Sequence, residues 1–308
     1  MSQPQPRPGE NTAREEGDKR EAGNDKIYFS NTLTEKLVLV LLLFLIAPLA
    51  KAADFSVSNY SPEQGDTVVI YFNNSKPQSV VFDNQSLLVF RYKNFDIAVF
   101  PIAATKKPGN YPLKIIFSDN NILEKQIKVR ARKFPKIVLA IPEELGLTPQ
   151  TLVTNLQTGQ KNLESAVEIK SDDIFFNQPF GLPLLNNKKI SSRFGEIRKT
   201  GSEEIRHLGI DLAADLGTAV AAINSGVIRK TYVDAIYGNS VIIDHGHGIF
   251  SVYFHLDKIK AKENDSVKKG TIIGTVGKTG YATAAHLHLS VKINGISVDP
   301  LRLVSIFK

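Results

Sequence analysis

The chain has no cysteine and one methionine, Met1, and its first 206 residues contain no histidine. The missing cysteine excludes disulfides, thiolate metal ligands and cysteine nucleophiles, and leaves the protein equally safe in oxidising and reducing compartments. No Gly-x-Ser-x-Gly segment occurs either, so acyl-enzyme chemistry has little support. The formal charge is +7, yet no aromatic-and-basic RNA motif or recognition-helix pattern accompanies it. Nucleic acid is therefore not an expected partner. A basic surface of this kind also favours anionic lipid or an anionic polymer such as cell wall. With 308 residues, 42% of them hydrophobic, the chain can build two modest domains, each with a core.

Residues 1–32 are rich in Pro, Gly, Glu, Arg and Lys, a composition that cannot bury a core and predicts a disordered tail. Residues 33–52 follow as a short apolar run, Leu37 to Ala47, ending in Ala50-Lys51-Ala52. The run falls short of the roughly 20 residues of a membrane span. With its A-x-A site it reads as a secretory signal peptide cleaved after Ala52, with an uncleaved signal anchor over residues 37–50 as the rival. The tail ahead of the signal is long, so either translation starts near Leu33 or the tail is a cytoplasmic extension. Export to periplasm or cell surface is the expected location.

Residues 53–134 carry strand-like runs at Thr67–Phe72, Leu87–Phe90, Asp96–Phe100 and Tyr111–Phe117, separated by turn clusters such as Pro62-Glu63-Gln64-Gly65-Asp66. Short strands at this spacing predict an immunoglobulin-like β-sandwich, a spacer or wall-facing module without catalytic residues. Residues 135–176 form a linker. Thr148 is placed to cap a helix that begins at Pro149 and runs to about Glu168, weakened in its middle by Gly159. Residues 177–308 are β-rich with glycine punctuation. The fold class is thus mainly β: a sandwich, a helical linker and a C-terminal open antiparallel sheet.

All six histidines fall between His207 and His288. In His207-Leu208-Gly209-Ile210-Asp211-Leu212 the apolar residues are 208, 210 and 212, which puts His207 and Asp211 on the opposite face of a strand. In His286-Leu287-His288-Leu289-Ser290-Val291 the same alternation sets both histidines on one face. In Ser251-Val252-Tyr253-Phe254-His255-Leu256 it groups 252, 254 and 256 as packing residues and turns Tyr253 and His255 the other way. Three strands thus present His or Asp on one face. Zinc suits such N and O donors, and a catalytic site leaves one of four positions to water. His245 and His247 alternate with Gly246 and Gly248 and read as structural or groove-edge residues at a hairpin turn.

Residues 190–300 resemble the lysostaphin-type (LytM-type) zinc metallopeptidases. The motifs that carry the likeness run in the family's order: Ser192-Arg193-Phe194-Gly195, His207-Leu208-Gly209-Ile210-Asp211, Tyr237-Gly238-Asn239, Tyr253-Phe254-His255-Leu256, Gly277-Lys278-Thr279-Gly280, His286-Leu287-His288 and Val298-Asp299-Pro300. The resemblance implies one Zn2+ per chain held by His207, Asp211 and His288, with His255 and His286 at the catalytic positions. It implies hydrolysis of peptide bonds in peptidoglycan, its peptides being the expected partner. Some relatives lack ligands and act only as wall-binding activators of other hydrolases, but here the whole set is present. The segment Lys199 to Arg206 is short and charged where many relatives carry a longer loop, which affects the groove's edge. A carrier-domain reading of Val267-Lys268-Lys269-Gly270 fails for want of the flanking motif around a hairpin-tip lysine.

Overall fold

The structure, a computed structural model, describes residues 55–73, 76–119, 121–139, 141, 146–168, 171–184 and 189–307. The tail, the apolar run and the cleavage site lie outside the described residues. No described helix is long and apolar enough to cross a membrane, which leaves β-barrels unaddressed.

The N-terminal part consists of β1 (Phe55–Val57), β2 (Thr67–Phe72), β3 (Pro77–Phe82), β4 (Gln85–Leu87), β5 (Val89–Tyr92), β6 (Phe95–Pro101), β7 (Gly109–Phe117) and β8 (Ile122–Val129). They form two antiparallel sheets, β1-β2-β6-β5 and β4-β3-β7-β8. Inward residues of both, among them Ile70, Phe100, Val80, Leu113 and Ile127, share one core, as alternating strands that bury one face must. The expected strand at Leu87–Phe90 is two strands in different sheets, broken at exposed Leu88. Val69, Phe90, Tyr92, Ile97 and Val99 face the other way and join the core of the C-terminal region. Ala53–Lys308 is accordingly one compact unit.

Next come β9 (Lys136–Val138) and α1 (Pro149–Glu168). The Thr148 cap forms as the sequence predicts: Thr151 N–H donates to Thr148 Oγ1 at 3.1 Å and Thr148 N–H to Thr151 Oγ1 at 2.8 Å. Gly159 in the helix middle has a packing reason, since a Cβ there would lie 2.7 Å from the Tyr237 ring. Leu163, Ala166 and Val167 seat the helix on Ile242, Phe250, Val252 and Phe254.

The C-terminal region comprises β10 (Ile190–Ser192), β11 (Ile197–Thr200), β12 (Glu203–Arg206), β13 (Ile210–Ala213), β14 (Ala219–Ala221), β15 (Gly226–Asp234), β16 (Gly238–Gly246), β17 (Ile249–Ile259), β18 (Ser266–Val267), β19 (Ile272–Val276), β20 (His286–Ile293), β21 (Ile296–Val298) and α2 (Pro300–Ile306). The principal sheet is antiparallel, ordered β10-β13-β20-β17-β16-β15-β18. The β11–β12 hairpin stands apart and takes β9 as a parallel edge strand. The charged segment Lys199–Arg206 is therefore a hairpin arm, braced by the linker.

Candidate metal centre

Three adjacent strands, β13, β20 and β17, bring the expected residues together. Asp211 pairs directly with His288 across β13 and β20, and directly opposed residues share a face. Ile210, Leu212, Leu287 and Leu289 fill the core beneath. His207 comes from the turn before β13. Gly209 in that turn is required by close approach: a Cβ there would sit 2.4 Å from His288 Nε2.

His207 Nε2, Asp211 Oδ1 and His288 Nδ1 converge. They are separated by 3.0 Å (His207–Asp211), 2.9 Å (His207–His288) and 2.8 Å (His288–Asp211). His207 Nδ1 donates to the Arg193 carbonyl at 2.9 Å, so its Nε2 is left as a lone pair. Burial pushes His288 down to about 4 despite its bond to Asp211, so the imidazole is neutral at neutral pH. Burial alone would raise the Asp211 carboxyl, but the His207 and His288 imidazoles beside it hold it well below its usual range, as a carboxylate. Two imidazole lone pairs and a carboxylate oxygen within about hydrogen-bond distance of one another form a donor set that fits a zinc ion.

Arg198, on β11, is a residue that sequence reasoning missed. Its guanidinium donates to Asp211 Oδ2 at 2.7 Å and to Glu196 Oε1 at 3.2 Å. One Asp211 oxygen is thus committed to Arg198, and the other faces the histidines. The sequence signal was faint: opposite charges two apart, Glu196 and Arg198, which read equally well as a solvated strand face.

His255 and His286 lie beside this cluster, their rings 4.8 Å apart. Each ties Nδ1–H to a backbone carbonyl: Thr279 for His255 and Ala284 for His286, both at 2.9 Å. Nε2 is therefore the free nitrogen of each. His286 Nε2 is 3.8 Å from Asp211 Oδ1. Burial, reinforced by the neighbouring histidines, pushes His255 down to about 3.

The strand carrying His255 departs from simple alternation. Phe254, not His255, is the register partner of His288, while Tyr253 pairs with Leu289 and is fully buried in the core. Val252 and Phe254 face α1 instead of sharing a face with Leu256. His255 reaches the site because its backbone turns to φ +60°, next to a bulge in β17. A bulge re-aims a side chain in just this way.

His245 and His247 take structural roles. His245 is buried, with Nδ1 to Ser225 O at 2.7 Å and Nε2 to Ser251 Oγ at 2.8 Å. His247 occupies the β16–β17 turn and stacks on Phe90.

Two cavities meet at the cluster. One, of about 420 Å³, runs from His207, His255 and His288 under α1. The other, of about 260 Å³, passes His286 and Asp211 and is walled by Ile137 and Leu139 of the linker.

Residues 205–300 match the model of peptidase family M23. Among curated proteins, the chain is 40% identical over 123 residues to DD-carboxypeptidase/endopeptidase Mpg of Neisseria meningitidis serogroup B, a match covering 40% of this chain and 28% of that protein. It is 36% identical over 119 residues to peptidoglycan DD-endopeptidase ShyC of Vibrio cholerae, covering 38% and 27%. It is 36% identical over 115 residues to lysostaphin of Staphylococcus simulans, covering 37% and 23%. The chain thus spans less than a third of the length of these relatives. A crystal structure from Pseudomonas aeruginosa described as a peptidase M23 covers 80% of this chain and 96% of its own, with a TM-score of 0.60 at 24% identity. That likeness concerns the fold alone.

Proposed function

We propose, from the match of residues 205–300 to the model of peptidase family M23, that the protein is an exported zinc endopeptidase that hydrolyses peptide bonds of peptidoglycan. The observation that carries the reading is the convergence of His207 Nε2, Asp211 Oδ1 and His288 Nδ1 beside two imidazoles whose Nε2 atoms are free.

His207, Asp211 and His288 would hold one zinc per chain. Bound there, zinc supplies a Lewis acid that polarises a scissile carbonyl and acidifies water. Arg193, through its carbonyl, fixes the His207 tautomer, and Arg198 fixes the orientation of the Asp211 carboxylate. His255 and His286 are poised for proton transfer. With Nδ1–H held by a carbonyl, each can accept a proton at Nε2 from attacking water and return it to the leaving amine. Protonated, either can also stabilise the oxyanion. Burial keeps His255 neutral at neutral pH, which leaves its Nε2 lone pair unprotonated. His255 lines both cavities and His286 the smaller one, which leaves room for peptide on either side of the cleaved bond. The apolar run ending at Ala52 supports export, where this substrate is found. Names of the relatives that act on peptidoglycan support the substrate class. A purely binding role is not favoured, because every expected ligand and both catalytic histidines are retained.

The test is digestion of purified peptidoglycans of different cross-link chemistry by the full chain, with fragments identified by mass. The reading expects one class of peptide bond to be cut, the activity to vanish with a chelator and to return with zinc. Undiminished cleavage after metal stripping, or none with zinc restored, contradicts it.

A further inference from the structure

Lys292 is 2% exposed, and a lysine so deeply buried without an acidic partner calls for a reason. Its Nζ reaches only Ser297 Oγ at 3.2 Å and the Gly295 carbonyl at 3.5 Å. Among the described residues no carboxylate stands within ion-pairing distance of it. Glu164 of α1 is exposed, and its carboxylate accepts from Gln160. Burial pulls the Lys292 ammonium below its usual range, and the Glu164 carboxylate, beyond ion-pairing distance, offsets this only in part.

Its position is informative. Leu287, Leu289, Val291 and Ile293 of β20 point into the core, so His286, His288, Ser290 and Lys292 share the opposite face. Lys292 is four residues from His288, roughly 13 Å at about 3.3 Å per residue of strand. His288, Ser290, Lys292 and Ser297 all line the 420 Å³ cavity under α1. Its remaining walls are largely apolar, with Leu156, Leu163, Ile205, Leu208 and the stacked pair Tyr237 and Phe254, and the β11–β12 hairpin adds the charged Arg198, Glu204 and Arg206. The cavity is thus lined both by the metal-ligand cluster and by a buried lysine with no carboxylate at ion-pairing distance among the described residues.

We propose that Lys292 and Ser297 form a subsite for a carboxylate of the substrate, so that the protein selects acidic peptides. This rests on the endopeptidase reading and narrows it: bonds in carboxylate-bearing stem peptides are preferred over glycine-only cross-bridges. An extended peptide rises by nearly the same step as the strand it follows. The recognised carboxylate therefore sits about four residues from the cleaved bond, or fewer when it ends a long side chain. Bound there, it supplies the charge-assisted acceptor that Lys292 lacks.

The experiment uses the full chain and one cross-linked stem-peptide dimer in two forms, with free side-chain carboxyls and with those carboxyls amidated. Binding is measured by calorimetry on metal-free protein, and kcat/KM on zinc-loaded protein. The wild type is expected to favour the carboxylate form about tenfold or more in both. In Lys292→Met that ratio falls to about one. Lys292→Gln, which keeps a partner for Ser297, does the same and serves if the methionine variant does not fold. Equal binding of both forms by the wild type, or a preference that survives both substitutions, overturns the proposal. If neither dimer is cleaved while the binding preference and its loss persist, the endopeptidase reading fails and the carboxylate subsite stands.

Discussion

The left-handed backbone at His255 gives substitutions there two separable effects. An alanine must adopt φ near +60°, which costs roughly 1–2 kcal/mol, whereas asparagine tolerates that region. His255→Asn therefore isolates the loss of the imidazole. Its zinc content and melting temperature are expected to stay near wild type while turnover falls about a hundredfold to ten-thousandfold. Zinc lost along with activity would make His255 a ligand. Arg198→Gln should act differently. It frees Asp211 Oδ2, and disturbing such a partner typically weakens metal affinity about ten- to hundredfold. Competition with a chromophoric chelator measures this, and an unchanged zinc Kd would show that Arg198 does not position the ligand. Both residues mark where sequence reading reached its limit. His207, Asp211, His286 and His288 follow from strand alternation and motif order. Arg198 did not, because a charged strand residue looks the same whether it faces water or a carboxylate. His255 does not share the face of Tyr253, because the left-handed backbone at His255 breaks the alternation that an unbroken strand would keep.

Two glycines show how elements are fitted to one another. In α1, replacing Gly159 with Ala gains about 1 kcal/mol of helix propensity. The new Cβ would meet the Tyr237 ring at 2.7 Å, and that ring is itself stacked on Phe254. Overpacking of this kind costs about 1–3 kcal/mol, so the clash outweighs the propensity and the melting temperature of Gly159→Ala is expected to fall. A rise would mean that α1 is free to shift away from the sheet. Gly209→Ala drives a Cβ into His288 and the Leu289 carbonyl. Zinc affinity and stability should therefore drop together in that variant, as read by chelator competition and thermal melting. The cap and extent of α1 were legible because Thr148, Pro149 and an amphipathic face suffice to define a helix. That α1 and β9 wall the two cavities was not, since an apolar helical face does not reveal which surface covers it.

At the scale of the molecule, the core carries its own pH response. His245 lies wholly inside, and burial pushes it down to about 4 from 6.5. Above pH 6.5 both folded and unfolded states hold it neutral, and its contribution to stability is complete. As pH falls from 6.5 towards 4 the unfolded chain takes up a proton that the folded chain refuses, so stability drops, by up to about 3 kcal/mol at this site. Urea unfolding at pH 7 and pH 4.5 should show a smaller loss for His245→Gln than for the wild type, and equal losses would contradict the assignment. The sandwich and open antiparallel sheet could be read from short alternating strands and turn clusters. Their union could not, because Val69, Tyr92 and Val99 look like outward residues of one sandwich until the C-terminal core that receives them is seen.

The proposed function requires that His207, Asp211 and His288 hold one metal ion. Its most direct test is the zinc content of purified, folded wild-type protein and of His288→Ala, measured by elemental analysis after dialysis against trace zinc. One zinc per wild-type chain and little or none in His288→Ala is the predicted result. A wild type without zinc, or a His288→Ala variant that retains a full equivalent, would contradict it.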